Sequence, residues 1–306
     1  MALILMHRLR APQGLYLVAG QKQPTLAHFW DQVDPIWRRD LATWGPWQEM
    51  ADPPMGWGWW ACSGQSVDTP VVVVPECGSS LDILAGLPRQ TPVWSSVLAM
   101  RQSAGRGQLR RPWYAHPGNI LAAVRWPRPP AALEPLLPLL IGLSCVGAFA
   151  ELGLSLTLKW PNDLLWQGRK VGGVLVEERE GLVAAGIGLN VVSAPEDAAL
   201  REPWACPAGD LAASPLQPTP LSLWMDLVKR ARSWYETELY GMSPHEVVEQ
   251  LQAYVWGWLS EVWVVPPGEH PFTAVLVGID LDGGLCLQTP SGERILYSGS
   301  YTLSSW

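Results

Sequence analysis

A strand pattern that runs into a group of polar residues limits how this chain can fold. Leu154, Leu156 and Leu158 alternate with polar residues, and this period of two is typical of a β-strand with one polar face. The strand leads into residues 159–163, Lys-Trp-Pro-Asn-Asp, where proline withholds a backbone donor and ends regular pairing. Taken alone, these five residues would also fit a surface turn.

Two apolar runs and a turn follow. Residues 171–177 and 182–188 are strand-like, and the polar residues between them predict an antiparallel hairpin. In such a hairpin Lys170 and Asn190 lie at the same end of the sheet. Glycines in both strands allow a ligand to approach the backbone closely, which an ordinary surface hairpin does not require. We therefore expect a ligand site at this sheet edge.

A second unusual run lies upstream, at residues 102–113, where two glycines flank the first of three arginines. Composition alone favours a solvated turn. Because both polar runs are bordered by strand-like residues, the pair instead indicates a site that activates an anion. Arginine offers a planar donor fork for carboxylate or phosphate, and lysine offers a compact charge. Arg106 and Lys170 are the candidate cations.

In residue type, order and spacing, the two runs resemble the signatures of the biotin protein ligases, a Gly-Arg-Gly loop leading to tryptophan and a Lys-Trp-Pro-Asn-Asp segment. Residues 159–163 match the second signature without a gap, and Lys170 falls at the family's spacing. Residues 186–190 and the turn at 117–119 match further family segments. The resemblance covers residues 71–240 and, more weakly, the C-terminal part.

The resemblance implies an α+β fold. A mixed β-sheet catalytic domain with packed helices, similar to class II synthetases and lipoate ligases, is expected at residues 71–240. A linker helix and a small C-terminal SH3-like β-barrel are expected at 241–306, where glycine-containing turns separate short strands. Residues 1–70 form an N-terminal extension without an evident winged helix, since we find no second helix with basic residues suited to a major groove.

The resemblance also implies an activity. The enzyme would use ATP to make biotinyl-5'-AMP from biotin, and would then transfer biotin to a lysine of the biotin carboxyl carrier protein of acetyl-CoA carboxylase. The implied catalytic residues are Arg106, Lys170 and Asp163. The implied biotin-binding residues are Ser79, Ser80, Gln102, Arg106, Gly107, Gln108, Lys170 and Gly173. The implied ATP-binding residues are Arg111, Trp113, Asn162, Asp163 and Asn190.

Two positions depart from the family pattern. Leu81 stands where the family's Ser-Thr-Asn has its amide, and Gln108 stands where many members have a second arginine. Two roles also remain open. Asp163 either accepts the proton of the carrier lysine or is a carboxylate bonded to its own turn. Ser79 and Ser80 either reach the ligand, start a helix, or do both.

Charge and cysteine content limit the class of protein. The 306 residues carry 21 Lys and Arg against 28 Asp and Glu, and this net charge of -7 argues against a broad nucleic-acid-binding surface. Five cysteines without a Cys-x-x-Cys pair, and an N-terminus unlike a signal peptide, favour a reducing cytoplasm. Residues 135–150 are uncharged but short for a bilayer, so we expect a buried helix and no membrane association.

Five dispersed histidines lack metal-ligand spacing, so we expect no protein metal site and Mg²⁺ held mainly by the ATP phosphates. Two other functions fit part of the pattern. One is a lipoate or octanoate protein ligase or transferase, which the loop at 105–113 disfavours. The other is a biotin-responsive DNA-binding regulator, which the acidic balance disfavours.

Overall fold

The computed structural model describes residues 15–18, 30–31, 33–49, 59–62, 69–87, 89–196 and 206–304. Most of the predicted N-terminal extension therefore lies outside the described residues. Within it, Pro35–Trp44 form a helix.

A mixed ten-stranded sheet organises most of the described chain. Its strands are β1 (Leu15–Val18), β2 (Trp47–Glu49), β3 (Trp59–Cys62), β4 (Val71–Val74), β5 (Ser96–Ala99), β6 (Ile120–Trp126), β7 (Thr157–Lys159), β8 (Asp163–Trp166), β9 (Arg169–Arg179) and β10 (Leu182–Leu189). They lie in the order β2-β3-β1-β4-β5-β6-β10-β9-β8-β7. β4 is parallel to β1 and β5, and the other pairs are antiparallel. Because β1 to β3 share this sheet, the domain limit at residue 70 stays a prediction.

Five α-helices of the described chain accompany the sheets: α1 (Pro35–Trp44), α2 (Ser80–Ala85), α3 (Leu137–Glu151), α4 (Pro220–Trp234) and α5 (Pro244–Gln252). The stretch Ala131–Glu151 is long and apolar enough to cross a membrane by length and composition, but most of it is buried inside the protein. It packs against α4 and β9. The predicted buried helix is confirmed.

One buried carboxylate of α1 is hydrogen-bonded to the beginning of helix α4. Asp40, only 2% exposed, accepts hydrogen bonds from Thr219 Oγ1 at 2.8 Å, Leu221 N at 2.5 Å and Ser222 Oγ at 2.8 Å. These donors lie at the beginning of α4, where backbone N–H groups have no partner within the helix. The carboxylate therefore caps α4 from a neighbouring helix.

A separate five-stranded antiparallel sheet follows α5. Its strands are β11 (Glu261–Val265), β12 (Phe272–Ile279), β13 (Leu285–Thr289), β14 (Gly292–Leu296) and β15 (Ser300–Leu303), in the order β14-β13-β12-β11-β15. The predicted α+β fold with a small C-terminal β unit is confirmed. The SH3-like arrangement of that unit stays a prediction.

The part of the chain after α5 contacts the large sheet at β7. Leu158 N donates to Tyr254 O at 2.7 Å, and Trp256 N donates to Leu158 O at 3.0 Å. The indole of Trp160 donates to Gly283 O at 2.8 Å, although Trp160 lies in the polar run that begins at residue 159. The residues after α5 thus hold the segment that the sequence singles out.

Candidate active site

The predicted hairpin is confirmed as β9 and β10. Asp163 of β8 is paired in register with Gly173 of β9, which is paired with Gly188 of β10. The segment at 159–163 and both glycine strands therefore meet on one patch of the large sheet.

Trp113 brings the upstream loop to this patch. A Cβ placed on Gly188 would overlap its indole, with Nε1 only 2.7 Å away, and a Cβ on Gly173 would lie 3.4 Å from Cζ3. Glycine is needed at position 188 because the indole lies directly on the strand backbone. The loop is held in shape by bonds from Trp113 N to Gly105 O at 2.9 Å and from Gly107 N to Arg111 O at 2.7 Å.

One side of this patch carries the lysine cluster, which we define as Lys159, Asp163 and Lys170. Lys170 Nζ lies 2.6 Å from Asp163 Oδ1, and Lys159 Nζ lies 3.7 Å from Asp163 Oδ2. The side chains of Lys159, Asp163 and Lys170 are 5%, 15% and 30% exposed. Two cations face one carboxylate, so the cluster has a formal charge of +1. Lys170 Nζ also lies 5.5 Å from the ring centroid of Trp113.

The environment of Asp163 keeps it ionised. Burial raises the pKa of this carboxyl, but the charges of Lys170 and Lys159 outweigh burial and hold the pKa below its ordinary value of 3.8. Lys159 is itself fixed from the C-terminal sheet, since it donates to Ser300 Oγ at 3.3 Å and lies 5.3 Å from the ring centroid of Tyr301. No pattern in the sequence indicates these two contacts.

The opposite side carries the arginine cluster, defined as Asp82, Arg106 and Glu177. Arg106 donates from Nε and Nη2 to Glu177 at 2.8 and 3.1 Å, and from Nη2 and Nη1 to Asp82 at 2.9 and 3.2 Å. The hydrogen bond from Arg106 lowers the pKa of Asp82, and the bonds to both carboxylates raise the pKa of Arg106. Two carboxylates face one cation, so the formal charge is -1.

A cavity of about 940 Å³ opens beside the arginine cluster. Its walls are Asp82, Gln102, Ser103, Ala104, Gly105, Arg106, Gly107, Leu109, Pro112, Trp113, Leu175, Glu177, Glu178 and Arg179. Trp113 both lines this cavity and lies next to Lys170. Its indole therefore connects the cavity with the lysine cluster, which is not part of the cavity wall.

The residues predicted for biotin are only partly gathered here. Gln102, Arg106 and Gly107 line the cavity, whereas Ser79 and Ser80 are buried at the beginning of α2 and are not part of its wall. Gln102 Nε2 donates to Ser80 Oγ at 3.2 Å, which joins the loop to α2. The expected helix start at these serines is confirmed, but the helix ends at Ala85 and Ser79 makes no side-chain cap.

Packing against the sheet accounts for leucine at position 81, where the family pattern has a polar side chain. It is 4% exposed, and a Cβ on Gly186 of β10 would lie 2.9 Å from Leu81 Cδ1. A side chain that the family uses for polar contacts is here part of the contact between α2 and the sheet.

The amides predicted for ATP are bonded to the protein itself. Asn162 Nδ2 donates to Val174 O at 2.6 Å, and Asn190 Nδ2 donates to Gly209 O at 3.1 Å. Asn119 Oδ1 accepts hydrogen bonds from the backbone N–H groups of Val191 at 2.9 Å and Val192 at 3.1 Å. These amides hold the strand ends in place, and nucleotide binding by Asn162 and Asn190 stays a prediction.

Two further loop residues with predicted roles are exposed. Gln108 and Arg111 are exposed, and Leu109 between them is 85% exposed with a φ of 55°. This left-handed conformation is unusual for leucine and places an apolar side chain in solvent at the rim of the cavity. The roles predicted for Gln108 and Arg111 stay predictions.

Comparison with known proteins agrees with this arrangement. The model of the biotin/lipoate A/B protein ligase family matches residues 88–191. A biotin–(acetyl-CoA-carboxylase) ligase from Paracoccus denitrificans is 31% identical over 65% of this chain and 86% of its own length. The corresponding ligase from Mycobacterium tuberculosis is 30% identical over 74% and 86%.

Solved structures agree as well. Biotin protein ligase from Aquifex aeolicus in complex with biotin and ATP is similar with a TM-score of 0.63 and 26% identity, over 76% of this chain and 98% of that one. The family expected from the two sequence signatures is confirmed. The chain belongs to the biotin protein ligases.

Proposed function

We propose that this ligase joins biotin to a lysine of the biotin carboxyl carrier protein of acetyl-CoA carboxylase through biotinyl-5'-AMP. The observation that carries the proposal is the pairing of a lysine cluster of charge +1 with a cavity that contains Arg106, joined by Trp113. The similar Aquifex aeolicus ligase binds biotin and ATP.

In the first step, the biotin carboxylate attacks the α-phosphate of ATP and pyrophosphate leaves. Both reactants are anions, so the reaction needs fixed positive charge where they meet. Lys170 supports this role because its amine is 2.6 Å from Asp163 and therefore oriented, while the lysine cluster still has an excess of positive charge. Arg106 is the second cation and belongs to the cavity wall.

In the second step, the neutral amine of the carrier lysine attacks the acyl carbon of biotinyl-5'-AMP, and AMP leaves. A proton must then be removed from the new amide nitrogen. Asp163 is a weak base. Burial raises its pKa, but the charges of the two lysines outweigh burial and hold the pKa below 3.8. We therefore assign Asp163 the orientation of Lys170 rather than proton removal.

The binding residues follow the same division. We assign biotin to the cavity side, with Gln102, Gly107 and Gln108 from the loop and with Ser79, Ser80 and Gly173 behind it. We assign ATP to the side of Trp113, with Arg111, Asn162 and Asn190. A cavity of about 940 Å³ is large enough for a ligand of this class.

Magnesium is assigned to the ATP phosphates. Among residues 15–304 as far as they are described, no group of three or more His, Cys, Asp or Glu is arranged to hold a metal ion. Asp163 is occupied by two lysines. The phosphate oxygens of ATP suit this hard cation, which keeps several waters when it binds. We assign the enzyme to the cytoplasm, because an odd number of cysteines without a Cys-x-x-Cys pair favours a reducing compartment.

Biotin-dependent exchange of pyrophosphate into ATP tests the function. The purified protein is expected to catalyse exchange with biotin and not with lipoate, the acid handled by the related ligases. Equal exchange with lipoate would overturn the biotin assignment. We also expect no specific DNA binding from a chain of net charge -7, and a salt-dependent gel shift at nanomolar protein would contradict this.

A further inference from the structure

Arg106 has already used its anion-binding edges. Its side edge, Nε and Nη2, faces Glu177, and its end edge, Nη1 and Nη2, faces Asp82. Guanidinium carries five N–H donors, and the four bonds formed here occupy nearly all of them. The arginine cluster has a formal charge of -1, and the charge of Arg179 also acts on Asp82. An approaching carboxylate therefore has to displace one of the two acids from the guanidinium.

The two acids are held differently. Glu177 lies on β9, where it is paired in register with Ala184 of β10, and its side chain is 27% exposed. Asp82 lies on α2, a helix of six residues, and its side chain is 50% exposed. Asp82 is the carboxylate that can leave at smaller cost, because an exposed ion pair is weak.

The geometry of the Asp82 contact matches the one that a substrate acid would make. Two parallel N–H donors of the guanidinium end meet the two oxygens of one carboxylate, as in a bidentate pair. The cavity wall contains both residues, so a ligand in the cavity reaches the same edge.

We propose that Asp82 sets the affinity for biotin by competing with the biotin carboxylate for Arg106, and that Glu177 is a positioning residue that holds the other edge. The inference rests on the proposed function. Exchange of one carboxylate for another leaves the guanidinium anchored at Glu177 throughout. No bond is formed or broken in this exchange other than hydrogen bonds.

The test compares biotin with biotinamide, which lacks the carboxylate, by calorimetric titration without ATP. Asp82→Asn is expected to bind biotin up to about fivefold more tightly, which corresponds to the free energy of an exposed ion pair. Its affinity for biotinamide should equal that of the unchanged protein. Asp82→Glu should restore the original biotin affinity. The exposed Asp226→Asn is the control and should change neither affinity.

Glu177→Gln is expected to affect catalysis and not the affinity for biotin. Loss of the anchored edge should lower kcat of biotin-dependent exchange without tightening biotin. Equal tightening by Asp82→Asn and Glu177→Gln, or equal changes for biotin and biotinamide, would overturn the division of roles. Melting temperatures identify variants that do not fold, and Asp82→Ser then carries the same expectation as Asp82→Asn. A parent protein that does not bind biotin would refute the proposed function instead.

Discussion

The lysine cluster and the arginine cluster have opposite compositions. In the lysine cluster, two amines surround one carboxylate and the side chains are 5%, 15% and 30% exposed. In the arginine cluster, two carboxylates surround one guanidinium and the side chains are 23%, 27% and 50% exposed. Formal charge therefore changes from +1 to -1 across the indole of Trp113. The lysine cluster has unneutralised charge ready for an anion, whereas the arginine cluster first has to exchange a partner.

The difference shows that a cation's ability to bind an anionic substrate depends on the carboxylates already paired with it as much as on the type of residue. Arg106 and Lys170 are equivalent candidates by sequence, yet one is saturated with acceptors and the other shares a single carboxylate with Lys159. Burial makes the second arrangement stronger, because charges interact more strongly away from water.

Removal of the shared carboxylate should have the largest effect. Asp163→Asn leaves two lysines close together without a counter-charge, and we expect a loss of about 3 kcal/mol in the free energy of unfolding. Urea denaturation measures this loss. Glu180→Gln, which breaks only the exposed pair with Arg89, should change stability by well under 1 kcal/mol. Equal losses in the two variants would remove the contrast between buried and exposed charge.

Removal of Lys170 from the lysine cluster should have the next largest effect. Lys170→Ala is expected to slow adenylate formation by about a hundredfold or more, because a preorganised charge is lost while no core is emptied. Single-turnover measurement of biotinyl-5'-AMP gives the rate. Lys229→Ala, at an exposed position of α4, is the matched control and should keep full activity. Unchanged turnover in Lys170→Ala would assign Lys170 to the surface.

Acidification should bring the stabilities of wild type and Asp163→Asn closer together, which is a smaller effect. The pKa of Asp163 is lowered in the folded state, so its contribution to stability is complete above the ordinary value of 3.8 and is lost as pH falls through the folded value. The difference in free energy of unfolding between the two proteins should therefore shrink below pH 3.8. Urea titrations between neutral and acid pH measure it. A difference independent of pH would show that Asp163 is not held ionised by its lysines.

The smallest effect is expected from added charge on the loop. Gln108→Arg should lengthen residence of biotinyl-5'-AMP by about fivefold, since a charge-assisted hydrogen bond exceeds a neutral one by about 1 kcal/mol. Stopped-flow dissociation compares the two proteins, with Arg89→Ala as a control outside the loop. Equal or faster release would indicate that the new arginine pairs with the acids of the arginine cluster instead of the phosphate.

Local patterns predicted much of this molecule. The alternation before Lys159 and the two apolar runs around a polar turn are set by side-chain periodicity, so strand, hairpin and their shared end were accessible from sequence. Glycine at 173 and 188 signalled close approach, and the close neighbour is the indole of Trp113.

The partners of the catalytic candidates were not accessible in the same way. Asp82 and Arg106 are 24 residues apart, and Arg106 and Glu177 are 71 apart, so only the folded sheet brings them together. The available signal for Glu177 was an acid at the end of the apolar run 171–176. The role of Leu81 depended on Gly186 of a distant strand, and an aligned motif alone suggested a polar pocket instead.

The contact between Lys159 and β15 has a consequence for the order in which the protein is made. Residues 159–170 leave the ribosome well before Ser300 and Tyr301, and domains generally fold from the N-terminal side during synthesis. Lys159 can therefore contact the Ser300 hydroxyl and the Tyr301 ring only late in synthesis, because Lys159 and Ser300 are 141 positions apart. A nascent chain with its large sheet already formed would therefore lack these two contacts of the lysine cluster until β15 docks.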